Sequence, residues 1–600
     1  MTTRYRNLTA SEIERMERQG NYAEDWGAVR VSESFSVECV RNSTFEGAVS
    51  LGAIAAARHT HEDLSLREGI YNSTLNNVTI GDHPSIHNVR MLSDYIVGDN
   101  VILFNIDEMT CNADPRQAAW LEPMNENGGR RILPFGGMTI GDAYLWARYR
   151  GHKGLMDKLE QFTYDILGTD EGRYGRVGDC CVVKNTKNIH NVIIRSTDAD
   201  RTVVDSCIVL SDGVVGYGCT LEYGVIAVRF LLGEHVHLEF GLRLNDTVVG
   251  DNSTLARCEV GNSIIFPAHE QHHNNSFLIA GLIMGQSNIA AGGTIGSNHN
   301  SRTADNELAA GRGFWPGLCC SFKHSSRFAS YCLLAKADYP AELDITLPFA
   351  LVNNNAAKDC LEVMPAYWWM YNMYAMDRNS KKFAKRDKRK LKAQHIEFDN
   401  LAPDTAEELL HGMELLRGWM AKAENGTVYA DGMEKGKRRT VVLKAKEGLR
   451  AYEEMLVFYA MKYLTATYGD TLPPQSLAEG ARQTGWVNLG GQLVAANDME
   501  QLIADVEQGR IASWKQLNER LDNLWEAYPV QRDTHAYHVL CALAGVNMLD
   551  EALWQRYCAQ YTDILDYIEQ QKKVSREKDN VNPFRNMTYW DDDERRAVLE

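Results

Sequence analysis

The chain has 600 residues, of which 44% are hydrophobic and 24% are charged, as in an ordinary globular protein. Its 80 acidic and 63 basic residues give a net charge of −17, which argues against nucleic acid as a partner. The N-terminus lacks the apolar core of a signal peptide, and no apolar run is long enough for a membrane span. The 13 cysteines show no CxxC pairs, so we expect a cytoplasmic protein with reduced thiols and no membrane partner.

Residues 1–30 are expected to form a helical cap, and an apolar repeat with a period of six follows them. The repeat fills two segments, 31–111 and 176–300, and Ile80 and Ile86 mark it in the first. A helix repeats about every 3.6 residues and a strand every 2, so the repeat fits neither. The second segment holds two longer runs, which are Val203, Val209, Val215, Leu221 and Ala227, then Val260, Phe266, His272, Leu278, Met284, Ala290 and Gly296.

A period of six fits a short strand followed by a turn in which glycine, asparagine or aspartate takes a positive φ. Three such units form one triangular coil of a β-helix, so residues about 18 apart lie side by side in parallel ladders. The alternative is an antiparallel β-sandwich with glycine turns, which would alternate with a period of two. Glu234–Leu244 does alternate by two, and there we expect a protruding hairpin or coils of irregular length.

The remaining segments are expected to be helical or irregular. Residues 112–175 interrupt the repeat and are predicted to form a helical insertion, with helix-like spacing over Gly141–Leu167. Residues 301–364 are predicted to be an irregular connection. Residues 365–600 are predicted to form an α-helical domain, because three long stretches in it are amphipathic. These stretches are Glu453–Leu464, Ala512–Tyr528 and Leu549–Gln571.

Two unusual runs lie at the start of the helical domain, and each allows two interpretations. The basic run Lys381–Lys392 is either a solvated helix face or a contact for phosphate or nucleic acid, and the acidic body favours the solvated face. The aromatic run Tyr367–Met376 is either the packing seam between the two domains or a surface that stacks a sugar or base.

Three hexapeptides carry a family resemblance: VGYGCT (Val215–Thr220), VGDNST (Val249–Thr254) and VGNSII (Val260–Ile265). They resemble the hexapeptide-repeat left-handed β-helix superfamily, which includes acyltransferases and sugar-1-phosphate nucleotidyltransferases. The resemblance covers about a third of the chain and implies a left-handed parallel β-helix with a helical insertion, followed by an α-helical C-terminal domain. The combination of a β-helix with a long helical C-terminal region is similar to a bacterial family within that superfamily.

A polar cluster lies at the end of the second repeat. His269, His272 and His273 surround Glu270, and His299 lies between two asparagines. Because coil neighbours are about 18 apart, Asn274 and Asn275 are expected to lie beside Gly292 and Gly293. These glycines leave open space where a ligand can approach. Inward-facing His272 is better explained as a core histidine than as a base.

Hexapeptide acyltransferases use a catalytic histidine at the seam between subunits of a trimer. The resemblance therefore implies acyl transfer to a sugar or nucleotide-sugar, acyl-CoA as donor, and a homotrimer. We expect His273 or His299 to be the general base, with Glu270 to orient it and His269 as a weaker candidate. The expected substrate-binding residues are Asn274, Asn298, Asn300, Arg302, Arg312 and Lys323.

Other functions stay open at this point. One is a protein related to sugar-1-phosphate nucleotidyltransferases, although the glycine-rich loop of their catalytic domain is missing from this sequence. Another is a non-catalytic scaffold or a carbohydrate-binding protein. We expect no metal site at His269–His273, because alternate strand faces would separate the ligands. The cluster His59–Asp63 offers similar ligand types, and we expect no metal site there either.

Overall fold

The computed structural model describes residues 5–112, 114, 117, 119–296, 306–578 and 582–599. A parallel β-solenoid of about 18 turns fills the N-terminal two thirds, and a helical region follows it, which confirms the expected fold class. Because the ladders are parallel, the β-sandwich interpretation is wrong. No helix within the described ranges is long and apolar enough to cross a membrane.

The first solenoid segment begins with a short antiparallel strand and a helix, and its parallel ladders already include Tyr22–Ala23, within the range expected to be a helical cap. Its elements are β1 (Tyr5–Asn7), α1 (Ala10–Arg18), β2 (Tyr22–Ala23), β3 (Val29–Ser32), β4 (Val40–Arg41), β5 (Thr44–Leu51), β6 (Arg58–His61), β7 (Leu64–Arg67), β8 (Gly69–Tyr71), β9 (Thr74–Ile80), β10 (Ser85–Ser93), β11 (Ile96–Val97) and β12 (Ile102–Thr110).

The insertion and the second solenoid segment follow. β12 pairs with β10 before the insertion and with β14 and β15 beyond it, so the chain leaves the ladder, forms two helices and returns. The elements are α2 (Ile140–Arg148), α3 (Lys153–Leu167), β13 (Arg176–Val177), β14 (Val182–Lys184), β15 (Asn188–Ile194), β16 (Val203–Asp205), β17 (Val209–Val215), β18 (Thr220–Glu222), β19 (Ile226–Leu232), β20 (His237–Glu239), β21 (Arg243–Val249), β22 (Thr254–Ala256), β23 (Glu259–Gly261), β24 (Ile264–Ile265), β25 (Glu270–Gln271), β26 (Phe277–Ile279), β27 (Gly281–Ile283) and β28 (Thr294–Ile295).

Residues 306–364 continue the solenoid, whereas the sequence predicted an irregular connection there. Its strands pair in parallel with the preceding coils, and the last two form an antiparallel pair. They are β29 (Leu308–Ala310), β30 (Trp315–Pro316), β31 (Ser321–Phe322), β32 (Arg327–Phe328), β33 (Leu333–Leu334), β34 (Asp338–Tyr339), β35 (Asp344–Ile345), β36 (Leu351–Asn355) and β37 (Cys360–Met364). Most of these strands are too short to give a pattern that can be recognised in the sequence.

The C-terminal region is mainly helical and packs on the solenoid. Its elements are α4 (Tyr367–Tyr371), α5 (Met373–Arg386), α6 (Pro403–Met420), β38 (Val428–Ala430), β39 (Thr440–Val442), α7 (Ala445–Tyr468), α8 (Gln475–Glu479), β40 (Trp486–Leu489), β41 (Gln492–Ala495), α9 (Ala496–Glu507), α10 (Trp514–Ala544), α11 (Glu551–Glu577), α12 (Pro583–Asn586) and α13 (Asp592–Leu599). The three amphipathic stretches fall in α7, α10 and α11.

The two coils that join β17, β19 and β21 are each one residue shorter than three hexapeptides. Leu210 pairs with Ala227, which pairs with Leu244, and all three side chains are buried in the core. The corners take positive φ, as the period of six requires: φ is 57° at Tyr223 and 55° at Phe240. Glu234–Leu244 lies within parallel ladders as β20 and β21, so no hairpin protrudes there.

Candidate functional site

His269, the most buried histidine of the predicted cluster, is a structural residue. Its ring hydrogen-bonds to Ser287 (Nδ1–Oγ 2.8 Å) and to Gln271 (Nε2–Oε1 3.2 Å). Burial lowers its pKa to about 4, so the imidazole is neutral at pH 7. Because both ring nitrogens already have partners, His269 has no free nitrogen to accept a substrate proton.

His272 and His273 follow β25, and their rings lie 4.5 Å apart, centre to centre. His272 is half-buried and lines a cleft, whereas His273 is exposed and does not line it. The expectation that His272 faces the core is wrong, because Gln271 is the buried residue there. The coil that joins Thr254 to its ladder partner Glu270 is shorter than the coils before it, which shifts the register.

The cleft lies between the solenoid and α5 and has a volume of about 670 Å³. Stacked coils that carry β20, β22 and β25 form one wall, and α5 forms the opposite wall. Four basic side chains line it against two acidic ones, in a chain with a net charge of −17. The lining residues are Glu239, Phe240, Thr254, Ala256, Arg257, Glu270, His272, Gln286, Ser287, Asn288, Gly313, Trp315, Tyr331, Arg378, Asn379, Lys382, Phe383 and Arg386.

Glu270 joins the two walls of the cleft. Its Oε1 lies 2.6 Å from Lys382 Nζ and 2.9 Å from Arg386 Nη1, and both cations belong to α5. Burial alone would raise the pKa of Glu270, but these two ion pairs outweigh it and hold the pKa below its usual range. Glu270 therefore stays ionised at pH 7 and fixes α5 against the solenoid.

Arg257 lies at a solenoid corner with its guanidinium over an aromatic ring. Its Cζ is 4.6 Å from the centre of the Phe240 ring, and Phe240 stacks on Tyr223 at 5.1 Å. Among the residues that the structure describes, no carboxylate forms an ion pair with Arg257, and the same holds for Arg378 on α5. The cleft thus offers two guanidinium groups that form no ion pair within the described ranges.

Of the expected substrate-binding residues, Arg312 and Lys323 are already paired. Arg312 is 2% exposed and binds Asp404 through two hydrogen bonds of 2.9 and 2.7 Å, because the solenoid packs against α6 there. Lys323 pairs with Glu342 at 3.3 Å. Neither residue lines the cleft.

Asn274 lies beside Gly292, as the sequence predicted. The Gly292 N–H donates to the Asn274 carbonyl at 3.3 Å, so a full coil of three hexapeptides separates the two residues here. Asn274 itself is exposed and lies outside the cleft lining. The expectations for Asn298, His299, Asn300 and Arg302 lie outside the described residues.

The second histidine cluster belongs to an antiparallel hairpin of β6 and β7 that the sequence did not predict. Glu68 is 3% exposed at its base, 3.5 Å from His59 Nε2 and 3.1 Å from His83 Nδ1. Within the described ranges, no group of three or more His, Cys, Asp or Glu side chains is placed to hold a metal ion.

Sequence reasoning missed Arg257, Phe240 and Arg378. A constant spacing connects Tyr223, Phe240 and Arg257, so a count in seventeens would have stacked them on one corner. No spacing in the sequence indicates that Arg378 belongs to the site, because its position depends on how α5 docks on the solenoid. The basic run beyond it does reach the site, through Lys382 and Arg386.

Comparison with known proteins adds family relationships. The family model described as "Domain of unknown function (DUF4954)" matches residues 5–420, and that described as "Domain of unknown function (DUF6819)" matches residues 474–560. An "Uncharacterized protein" of Treponema pallidum (strain Nichols) is 40% identical over 656 residues, which cover 99% of this chain and 90% of the relative. The first match spans the solenoid, α5 and α6, so the cleft lies inside it.

Proposed function

The chain belongs to the family described as "Domain of unknown function (DUF4954)", and we propose that it is a transferase that acts on a sugar or nucleotide-sugar bound in the cleft. The observation that carries the proposal is Arg257, whose guanidinium is held against Phe240 at a cleft wall without a carboxylate partner among the described residues. A guanidinium in a fixed plane can form two parallel hydrogen bonds to a phosphate.

The charge of the cleft selects for an anionic ligand. Lys382 and Arg386 share the single carboxylate of Glu270, so the α5 wall keeps an excess of positive charge. Arg378 adds a third cation on that wall. A nucleotide-sugar or an acyl-CoA carries phosphates that match this wall, and its sugar or acyl end would extend toward His272.

We assign the general base to His272 rather than to His273 or His299. Burial lowers the pKa of His272, and the neighbouring His273 lowers it further, so at pH 7 the ring is neutral, the form that can accept a proton. Its ring makes no hydrogen bond to another residue in the described part of the chain, which leaves a nitrogen free for a substrate hydroxyl. In acyl transfer, His272 would take the hydroxyl proton while the oxygen bonds to the thioester carbonyl carbon and the thiolate leaves.

A second candidate function is binding without turnover. Tyr223 is 53% exposed and Phe240, which lines the cleft, is 43% exposed, so the exposed parts of the two stacked rings form an apolar surface beside the cleft. Such a surface suits a carbohydrate ring. The same ligand would then bind without being converted.

Three finer features belong to this proposal. Hexapeptide-repeat membership rests on the VGDNST-type motifs, and a homotrimer follows from that resemblance. A cytoplasmic location is supported by all 13 cysteines being free thiols. Light scattering coupled to gel filtration tests the trimer through the mass of the particle.

The test combines calorimetry with a turnover assay. UDP-N-acetylglucosamine and acetyl-CoA are titrated into the wild type, R257A and the control R90A, which removes an exposed arginine on another coil. R257A should weaken binding by about 10- to 100-fold, since a charged hydrogen bond contributes roughly 1.5–3 kcal/mol. R90A should bind as the wild type does.

For turnover, His272→Gln is compared with its neighbour His273→Gln. His272→Gln should lower kcat by about 10²- to 10⁴-fold with little change in binding, and His273→Gln should not. If His273→Gln alone abolishes turnover, the assignment of the base is wrong. Binding without product in any reaction would favour the binding protein, and no binding of either ligand would refute the cleft proposal.

A further inference from the structure

A second cavity of about 870 Å³ lies where three parts of the chain meet. The helical insertion contributes Tyr149, the solenoid contributes Arg312 and Ser330, and the C-terminal region contributes α6 and β40. Arg312 lines this cavity, and its Cζ lies 5.9 Å from the centre of the Tyr331 ring, which lines the cleft, so the two sites are neighbours with different lining residues.

The charges of this cavity balance once Arg482, which does not line it but binds the wall residue Glu407, is counted. Asp404 is bound by Arg312, and Glu407 is bound by Arg482 through hydrogen bonds of 2.8 and 2.7 Å. The two remaining charged side chains, Arg148 and Glu408, have opposite signs. The cavity thus differs from the cleft, because it has no surplus charge with which to select an ion.

Two polar groups on its walls have unused hydrogen-bonding capacity. Asn488 is 8% exposed; its Oδ1 accepts the Gly491 N–H at 2.7 Å, and its Nδ2 donates to no residue in the described part of the chain. A buried donor without a partner is uncommon and costly. Glu408 accepts the Ser330 N–H at 3.0 Å and has no ion pair with a described residue. Burial raises the pKa of Glu408 to about 7, and Asp404 adds to the shift.

The cavity also has aromatic walls. Trp486 at the start of β40 is half-buried, with its Nε1–H fixed by the Gln483 carbonyl at 3.0 Å. Tyr149, also half-buried, lines the wall contributed by the insertion. Aromatic faces beside a few hydrogen-bonding groups and no surplus charge suit the C–H faces and hydroxyls of a sugar ring.

We propose that this cavity binds a neutral, hydroxyl-rich ligand of sugar size, with the ring against Trp486 and a ligand oxygen on Asn488 Nδ2. This site is separate from the cleft and goes beyond the transfer reaction proposed there. Because its walls come from the insertion, the solenoid and the helical region, a bound sugar bridges all three. Binding should therefore protect the backbone amides of β40 and α2 from hydrogen exchange.

The test is saturation-transfer difference NMR with the full chain and four probes at equal concentration. Glucose and N-acetylglucosamine are neutral, whereas glucosamine and glucuronate carry opposite charges. The neutral sugars should give the stronger signals. These signals should disappear in W486A and fall at least tenfold in N488D, which keeps an acceptor for Gly491 N–H but replaces the donor by an oxygen.

The cleft variant R257A serves as the matched control and should keep the neutral-sugar signals, so the two proposals can fail independently. Circular dichroism checks whether each variant is folded. If W486A is unfolded, the sugar signals of N488D and the hydrogen exchange of the wild type test the proposal instead. The proposal is overturned if neither neutral sugar gives a signal, if a charged probe binds better, or if N488D binds like the wild type. It is also overturned if R257A alone abolishes the signal.

Discussion

The guanidinium carbon of Arg257 lies 4.6 Å from the centre of the Phe240 ring, and the two residues occupy the same corner of consecutive coils. Phe240 in turn stacks on Tyr223 with an angle of 10° between the rings. The coil length that builds the solenoid thus also builds this stack. A guanidinium held in one plane loses less freedom when it binds a phosphate, so the stack prepares the cleft for an anionic ligand.

Phe240→Leu should weaken nucleotide-sugar binding although Phe240 itself forms no charged contact with the ligand. The change removes the ring under Arg257, a contact of about 0.5–2 kcal/mol, so affinity should fall roughly 2- to 30-fold in calorimetry. Tyr223→Leu, one coil further from Arg257, is the control and should have a smaller effect. Equal losses in both variants would mean that the ligand stacks on the rings directly.

Leu221→Ala tests the solenoid core. Leu221 is fully buried and pairs in the ladders with Val204 and Leu238. The change leaves a cavity and should lower the free energy of unfolding by about 2–5 kcal/mol. The urea midpoint of the solenoid should fall accordingly. Ile208→Ala, at a site that is 39% exposed, should change it by no more than about 0.5 kcal/mol. If the two variants behaved alike, Leu221 would not lie in the core.

Arg389→Met tests how the segment after α5 is anchored. Arg389 is 4% exposed; its Nη1 lies 2.6 Å from the buried carboxylate of Asp251 and its Nε 2.8 Å from Asp387, so its loss leaves two carboxylates without this partner at a cost of about 3–5 kcal/mol. Thermal melting should show a clear decrease. The double variant Asp251→Asn with Arg389→Met should recover part of it. Lys388→Met, at the exposed neighbour, should melt like the wild type, and an equal loss there would contradict the anchor.

Glu234→Gln tests a pH dependence. Glu234 is 6% exposed; burial raises its pKa to about 7, and Asp251 adds to the shift. Because the folded pKa is higher than the unfolded one, the folded chain binds the proton more tightly, and this stabilisation is lost as pH rises from about 4.5 through 7. The contribution is on the order of 3 kcal/mol. Other buried groups also titrate, so the measured quantity is the difference between wild type and variant.

For this comparison, urea midpoints of both proteins are measured at pH 5 and pH 8. The wild type should lose more stability than Glu234→Gln between these two values. Asp142, whose pKa burial raises to about 6, contributes in the same direction and is present in both proteins. The same pH response in the two proteins would show that Glu234 is ionised throughout.

The sequence predicted the solenoid because its core residues repeat, but it placed the coil neighbours less well. Counting in sixes assumes three equal sides for each coil, whereas the ladder that joins Leu210, Ala227 and Leu244 has coils with one side a residue shorter. Near the cleft the coil that joins Thr254 to Glu270 shortens again. One such change was enough to move His272 from the expected core position to the cleft.

The candidate site was predicted only in part, and for a physical reason. Glu270 was expected to orient a histidine, but in the structure it binds Lys382 and Arg386 of α5. The sequence shows the charges of both segments but not the contact between them, which arises when parts of the chain that are far apart dock together. The same holds for Arg312, whose partner Asp404 belongs to α6.

The most direct test of the cleft is a crystal structure of the chain with UDP-N-acetylglucosamine. We predict phosphate oxygens within hydrogen-bonding distance of the guanidinium groups of Arg257 and Arg378, and a sugar hydroxyl beside His272. A ligand bound elsewhere, or phosphates that do not contact Arg257, would contradict the proposed site.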